Sequence, residues 1–137
     1  MERICSCSLP CEASIYGGTI FGTKTAEEYL LCVEGLIGHE IIHSFDREAL
    51  IKYWREHYFS CNFNKGRQEF EVRADLGASK NPKVLRALAN LCEKFPFSPC
   101  HPVPVKRSRY LREKADQIEA EQRQSMQKEQ RYLMLSN

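Results

Sequence analysis

Apolar residues recur at helical spacing early in the chain and predict a long helix over residues 26–45. Thr25 precedes this helix and Glu28 follows three residues later, which is the pattern of an N-terminal capping box. One face carries the apolar residues that we expect in the core, namely Leu30, Val33, Ile37 and Ile41. A different face carries Cys32, Gly35, Leu36, His39 and His43. Gly35 and Gly38 are costly in a helix interior and suggest that another backbone approaches closely, although simple tolerance of both glycines is the alternative.

Four further helices follow from the same periodicity and from the residues that interrupt it. They are predicted over residues 47–59, over residues 65–78, from Pro82 onward, and over residues 106–132. Pro82 suits the first turn of a helix, where no backbone donor is needed. Residues 95–105 contain four prolines and are expected to be irregular. The last helix is strongly charged, and we expect it either to project from the domain or to pack only through Tyr110, Leu111 and Ile118.

One segment before the first helix has the character of a strand. Residues 14–22 combine isoleucine, tyrosine, threonine and phenylalanine around a Gly-Gly pair, which predicts a strand or a small hairpin. The predicted fold class is therefore α+β and mostly helical, with this strand or hairpin before the first helix. Three parts are expected: an irregular cysteine-rich arm over residues 1–12, one domain over 13–112, and a charged C-terminal helix or tail over 113–137.

Composition and charge are typical of a soluble globular protein. The chain has 137 residues, of which 42% are hydrophobic and 28% are charged, and this length suits one domain. Lysine and arginine number 20 against 18 acidic residues, so a net charge of +2 argues against a nucleic-acid partner. No apolar run is long enough for a transmembrane segment, and no secretory signal is visible, so we expect a cytoplasmic protein. Export by a route that leaves no readable signal is the alternative.

Seven cysteines are present, and an odd number without a secretory signal favours reduced thiols over a disulfide framework. Cys5, Cys7 and Cys11 lie close together and raise the question of a second metal site. Their C-x-C-x3-C spacing matches none of the common zinc patterns. Free thiols in a loose N-terminal arm are therefore the favoured interpretation, and a metal site there is the alternative.

The strongest chemical signal is the sequence H-E-I-I-H at residues 39–43, inside the first predicted helix. Residues four apart lie on one helical face, so His39 and His43 can bind a single metal ion. Glu40 lies beside the ion and is the candidate base that takes a proton from an activated water. One Zn²⁺ is expected, because zinc suits imidazole and carboxylate ligands and leaves one position open. The alternative is that both histidines have ordinary core or surface roles.

A catalytic zinc site of this kind needs a third protein ligand, and acidic residues on another helix are the candidates. Glu71 and Asp75 are four residues apart and share a helical face, whereas Glu69 points elsewhere. Glu71 can bind the metal while Asp75 accepts a hydrogen bond from the free nitrogen of a ligating histidine. A solvent-exposed acidic face is the alternative for this pair.

Three stretches of the chain resemble zinc proteases of the HtpX, Oma-type and CAAX prenyl protease group. Residues 35–43 resemble the active-site helix, which reads G-V-x-A-H-E-x-x-H. Residues 67–78 are similar to the second signature, E-x-x-A-D-x-x-A, and residues 81–88 to the helix that follows it. The resemblance implies a minimal zincin-like domain in which Glu71 is the third zinc ligand and Asp75 supports the site.

A further match lies nearer the C-terminus. Residues 101–111 resemble a segment of the form H-P-x-x-x-x-R-x-x-x-L in the same proteases. By this resemblance, His101 and Arg107 lie near the catalytic cleft, where they would bind substrate or stabilise the oxyanion. Such groups make chemical sense, since negative charge develops on the attacked carbonyl. The alternative is that His101 and Pro102 only end a loop.

The function that we expect from these motifs is zinc-dependent endopeptidase activity on a protein or peptide substrate. Zinc would activate water, and Glu40 would act as the general base. The first alternative is a catalytically silent zincin-fold protein that binds zinc and engages a protein partner through the charged C-terminal helix. The second is a different zinc hydrolase, which is less favoured because such sites usually have other ligand spacings.

Overall fold

A computed structural model describes residue 23, residues 25–94 and residues 99–136. Five helices make up most of this part of the chain, and short connections join them. They are α1 (Ala26–Phe45), α2 (Arg47–His57), α3 (Phe63–Gly77), α4 (Pro82–Lys94) and α5 (Pro104–Leu135). Helix accounts for 83% of the described residues, and none of them is in a strand.

The predicted α+β class is wrong, because the described chain is all-helical. The helical majority was expected, but it is not accompanied by a sheet. In the described residues, apolar side chains recur every three to four residues, as in helices, and not every second residue, as in strands. The strand or hairpin expected over residues 14–22 lies outside the described residues, as does the arm over residues 1–12.

Local sequence accounts for where the helices begin. The Oγ1 atom of Thr25 accepts a hydrogen bond from the backbone N–H of Glu28 at 3.1 Å, which confirms the predicted cap of α1. Asn81 caps α4 in the same way, since its Oδ1 atom accepts from the N–H of Lys83 at 3.0 Å. Pro104 provides the first residue of α5, two positions before the predicted start.

Helix α4 lies at the centre of the fold and packs against both α1 and α5. Its buried apolar face meets Leu111 and Ala115 of α5, while Tyr110 and Ile118 pack at the edge, as predicted. The four cysteines in the described residues form no disulfide with one another: Cys32, Cys61, Cys92 and Cys100. Burial raises the pKa of Cys92 to about 12, so this thiol serves as a core residue.

The predicted core stripe of α1 is wrong. Leu30 is 63% exposed, Ile37 is 56% exposed and Ile41 is 48% exposed. The opposite face is buried instead, with Cys32, Gly35, Leu36 and His39. The reason is steric, because α1 presents two faces with apolar residues, and the face that carries small residues allows closer packing of α3 and α4.

Close approach at Gly38 brings α1 next to the end of α3. A Cβ atom at Gly38 would lie 1.9 Å from the carbonyl oxygen of Ala78, a backbone atom that has little freedom to move. At Gly35 the neighbouring atoms belong to side chains, and the nearest is Cγ1 of Val84 at 3.3 Å. Gly38 therefore sets the separation of α1 and α3 one residue before His39.

Helix α2 has no buried residue and packs through aromatic rings. Tyr53 and Trp54 contact Phe63 at the start of α3, with ring centroids 5.7 Å and 5.2 Å away. Helix α5 is continuous through residues 112 and 113, and Ala115 still belongs to the core. The division into residues 1–12, 13–112 and 113–137 stays a prediction. Within the described residues, no helix combines the length and apolar character needed to cross a membrane.

We predict that Gly38→Ala lowers the free energy of unfolding by about 1–3 kcal/mol, because the new methyl group would overlap the backbone of Ala78. This exceeds the gain of about 1 kcal/mol in helix propensity. Urea unfolding monitored by circular dichroism measures the change. Gly35→Ala is the matched control and should have a much smaller effect, so equal destabilisation by both variants would contradict the close-approach argument.

Candidate metal centre

Three imidazole nitrogens converge on one carboxylate oxygen of Glu71. The Nε2 atoms of His39 and His43 each lie 3.2 Å from Glu71 Oε2. The Nε2 atom of His101 lies 2.9 Å from the same oxygen. His39 and His43 are themselves close, with 3.0 Å between their Nε2 atoms. We call these four residues the histidine–glutamate cluster.

Three parts of the fold contribute to this cluster. His39 and His43 are one turn apart on α1, so their side chains leave the same face. Glu71 comes from the buried face of α3, which α1 approaches closely at Gly38. His101 lies in the connection between α4 and α5, and it reaches the cluster from a part of the chain that follows both α1 and α3.

The donor atoms have the composition and spacing of a metal site. His39, Glu71 and His101 are buried, and their donor atoms all lie within 4.8 Å of one another, so this group can hold a metal ion. Zinc bonds to nitrogen and oxygen are about 2.0–2.2 Å long, which places neighbouring tetrahedral ligands about 3.3–3.6 Å apart. The separations of 3.0 and 3.2 Å among His39, His43 and Glu71 are a few tenths of an ångström shorter. The donors therefore fit one small cation.

The charge balance of the cluster also favours a cation. Burial acts to raise the pKa of Glu71, but hydrogen bonds with His101, His39 and His43 outweigh it and hold the pKa far below its usual range. Burial acts to lower the pKa of His39, but hydrogen bonds with Asp75 and Glu71 raise it to about 9. The site thus holds an ionised carboxylate and favours positive charge at His39 Nε2, which a proton or a metal ion can supply.

Asp75 fixes the orientation of His39. Its Oδ1 atom lies 2.9 Å from His39 Nδ1. Burial acts to raise the pKa of Asp75, but hydrogen bonds from His39 and Arg107 outweigh it and lower the pKa to about 2. An ionised carboxylate can only accept, so Nδ1 of His39 carries a proton, and Nε2 is the nitrogen that faces the cluster, where a metal ion can take the place of its proton. Metal-binding histidines are usually held in this way.

Two residues of α5 donate hydrogen bonds to the carboxylate of Asp75. Arg107 donates through Nε to Oδ2 at 2.8 Å and through Nη2 to Oδ1 at 2.7 Å. The hydroxyl of Tyr110 also donates to Oδ2 of Asp75. Arg107 and Tyr110 are three residues apart on one face of α5, so this helix is tied to the metal centre through a single buried carboxylate.

Glu40 and His43 mark the more accessible side of the cluster. Glu40 is exposed, in contrast to its neighbour His39. The side chain of His43 is 18% exposed, and its Nδ1 atom has no hydrogen-bond partner among the described residues. His43 is therefore held less firmly than His39, on the side of α1 where Glu40 can meet solvent.

The structure brings together most of the residues singled out in the sequence. His39, His43 and Glu71 meet, and His101 joins them, while Asp75 supports His39 as expected. Arg107, which was expected near the catalytic cleft, donates its hydrogen bonds to the carboxylate of Asp75, the residue that holds His39.

Two polar partners were not predicted. Tyr110 was expected only as a packing residue, although its position three residues after Arg107 was a usable signal. Arg67 lies one turn before Glu71 on α3, with its Nη2 atom 3.6 Å from Glu71 Oε1. Nothing in the sequence distinguished this arginine from other surface cations, because its burial is decided by the packing of α2 on α3.

We predict that Asp75→Asn weakens the binding of an added metal ion by about 10–100-fold, because the amide no longer provides the charge that orients His39 and neutralises Arg107. Competition with a chromophoric chelator measures the affinity. Asp116→Asn is the control, since Asp116 also pairs with an arginine, but its side chain is 70% exposed and its partner is Arg86, which is not part of the cluster. Equal affinities for the parent and Asp75→Asn would show that Asp75 has no role in the centre.

Comparisons of the chain with protein-family models, with curated proteins and with solved structures return no match. The resemblance of the motifs to zinc proteases therefore stays a prediction from the sequence. The site is defined by the contacts and charges of its own residues. Those contacts describe a buried group that can hold a metal ion, with an exposed glutamate next to one of its histidines in the chain.

Proposed function

We propose that this protein is a zinc-dependent endopeptidase. The observation that carries the proposal is the cluster of His39, His43 and Glu71, with Glu40 following His39 on the same helix. Two histidines one turn apart and a carboxylate from a second helix form the ligand set of many catalytic zinc sites. The exposed side chain of Glu40 makes no hydrogen bond or ion pair with the described residues, so it is available to a reacting water.

Zinc is the metal that this donor set favours. Imidazole nitrogen with a single carboxylate is a common zinc ligand set, whereas magnesium and calcium prefer oxygen ligands. The donor spacing of about 3 Å in the cluster suits the short bonds of a small ion. A bound Zn²⁺ would lower the pKa of a water and polarise the carbonyl of the scissile peptide bond.

The chain's own residues supply the proton transfers and the charge stabilisation. Glu40 takes the proton from the attacking water and later gives it to the leaving amine. In this proposal His101, whose Nε2 atom lies 2.9 Å from Glu71 Oε2, stays off the metal and would donate a hydrogen bond to the carbonyl oxygen as that oxygen gains negative charge. Asp75 keeps His39 in the tautomer that binds metal, and Arg107 keeps Asp75 ionised.

A metal-binding protein without catalysis is the rival that an experiment must separate from this proposal. Both functions require the same three ligands, so metal content alone does not distinguish them. Only catalysis requires the carboxylate of Glu40, which is not among the proposed metal ligands. Activity measurements on a variant of this residue therefore discriminate between the two.

We predict that Glu40→Gln retains zinc but loses about 10²–10⁴-fold in kcat, because the amide cannot accept the proton of the water. Cleavage of a fluorogenic peptide library, with zinc content measured in parallel, tests this. Glu34→Gln is the matched control, since Glu34 is an exposed glutamate of the same helix and should tolerate the change. A parent that binds zinc but cleaves nothing would favour the non-catalytic rival, and full activity of Glu40→Gln would exclude this residue as the base.

A further inference from the structure

Arg67 is a buried cation beside the metal centre that the catalytic proposal does not use. It lies on α3 one turn before Glu71 and is only 8% exposed. Its Nη2 atom is 3.6 Å from Oε1 of Glu71, the oxygen that does not face the histidines. The two oxygens of this carboxylate therefore meet different partners, with three imidazoles at Oε2 and a guanidinium at Oε1.

The aromatic contact between α2 and α3 fixes the position of this guanidinium. The carbon at its centre lies 5.3 Å from the centroid of the Trp54 ring, which is the geometry of a cation–π interaction. Trp54 is in turn held by Phe63, whose ring is 5.2 Å away and perpendicular to it. The planar guanidinium is thus set between the indole ring and the carboxylate, with little freedom to rotate.

A carboxylate can bind a metal through one oxygen or through both, and the difference matters for catalysis. Binding through both oxygens would fill the coordination position that a reacting water needs. A positive charge beside Oε1 opposes this, since that oxygen would have to leave the guanidinium in order to reach the metal. The energetic cost is increased by burial, because ionic attraction is stronger away from water.

We propose that Arg67 is a positioning residue of the metal centre, which holds Oε1 of Glu71 so that only Oε2 binds the metal and one position stays open for water. This inference rests on the proposed function, since it concerns the same metal site. It assigns a role to the packing of α2 as well, because Trp54 fixes the guanidinium that holds the ligand.

Cobalt substitution tests the proposal directly, since the visible absorption of Co²⁺ weakens as its coordination number rises. We expect an intense spectrum from the parent and a clearly weaker one from Arg67→Met, in which both oxygens of Glu71 can bind. Arg67→Lys restores the positive charge and should regain part of the intensity. With a peptide substrate, Arg67→Met should lose about 10–100-fold in kcat with little change in KM.

Arg73→Met is the matched control on the same helix. Arg73 also lies over an aromatic ring, that of Phe70 at 5.3 Å, and pairs with Asp46 at 2.9 Å, but neither partner belongs to the cluster. This variant should leave the cobalt spectrum and kcat unchanged. Thermal unfolding of all variants shows whether the fold is intact, and Arg67→Gln replaces Arg67→Met if the latter does not fold.

The outcomes separate this inference from the function on which it rests. A parent that binds Co²⁺, with spectra of Arg67→Met and Arg67→Gln identical to its own, overturns the positioning role and leaves the proposed function intact. A spectral change without peptidase activity in the parent supports the positioning role and counts against catalysis. A parent that binds no Co²⁺ overturns both.

Discussion

The carboxylate of Glu71 is buried in the interior of the helical bundle, and its charge is compensated at close range on every side. Three imidazoles face one of its oxygens, and Arg67 faces the other. An ionised group in such a place would be strongly destabilising without these partners. The packing of α1, of α3 and of the connection before α5 around this residue follows from that requirement.

A chain of hydrogen bonds and ion pairs connects Glu71 to α5. Asp75 holds His39 from behind, and Arg107 and Tyr110 of α5 hold Asp75. Each carboxylate on the buried face of α3 is thus balanced by donors from other helices. This arrangement makes the orientation of His39 depend on the docking of α5, although α5 contributes no atom to the cluster itself.

The helices and the centre of the site were predictable because they depend on local signals. A cap at Thr25, a proline at position 82 and histidines four residues apart each act within one or two turns. The face of α1 that packs was not predictable, because Ile37 and Ile41 form as good an apolar stripe as the buried face does. The choice between the faces depends on contacts with α3 and α4, which the periodicity of one helix does not contain.

The pairing of polar side chains from different helices was also not predictable from the sequence. Arg107 was expected near a reacting carbonyl, but its distance from Asp75 in the chain gave no sign that the two form a pair. Arg67 acquires its place from Trp54 on another helix. Long-range pairs of this kind depend on the assembled bundle, whereas the ligands on a single helix follow from its repeat.

The metal content of the purified protein tests the central claim most directly. Elemental analysis after purification without chelators should find about one zinc per chain in the parent and a clear loss of zinc in Glu71→Ala, because Glu71 Oε2 is the atom on which the three histidines converge. A parent without zinc, or a Glu71→Ala variant that retains all of it, would contradict the account.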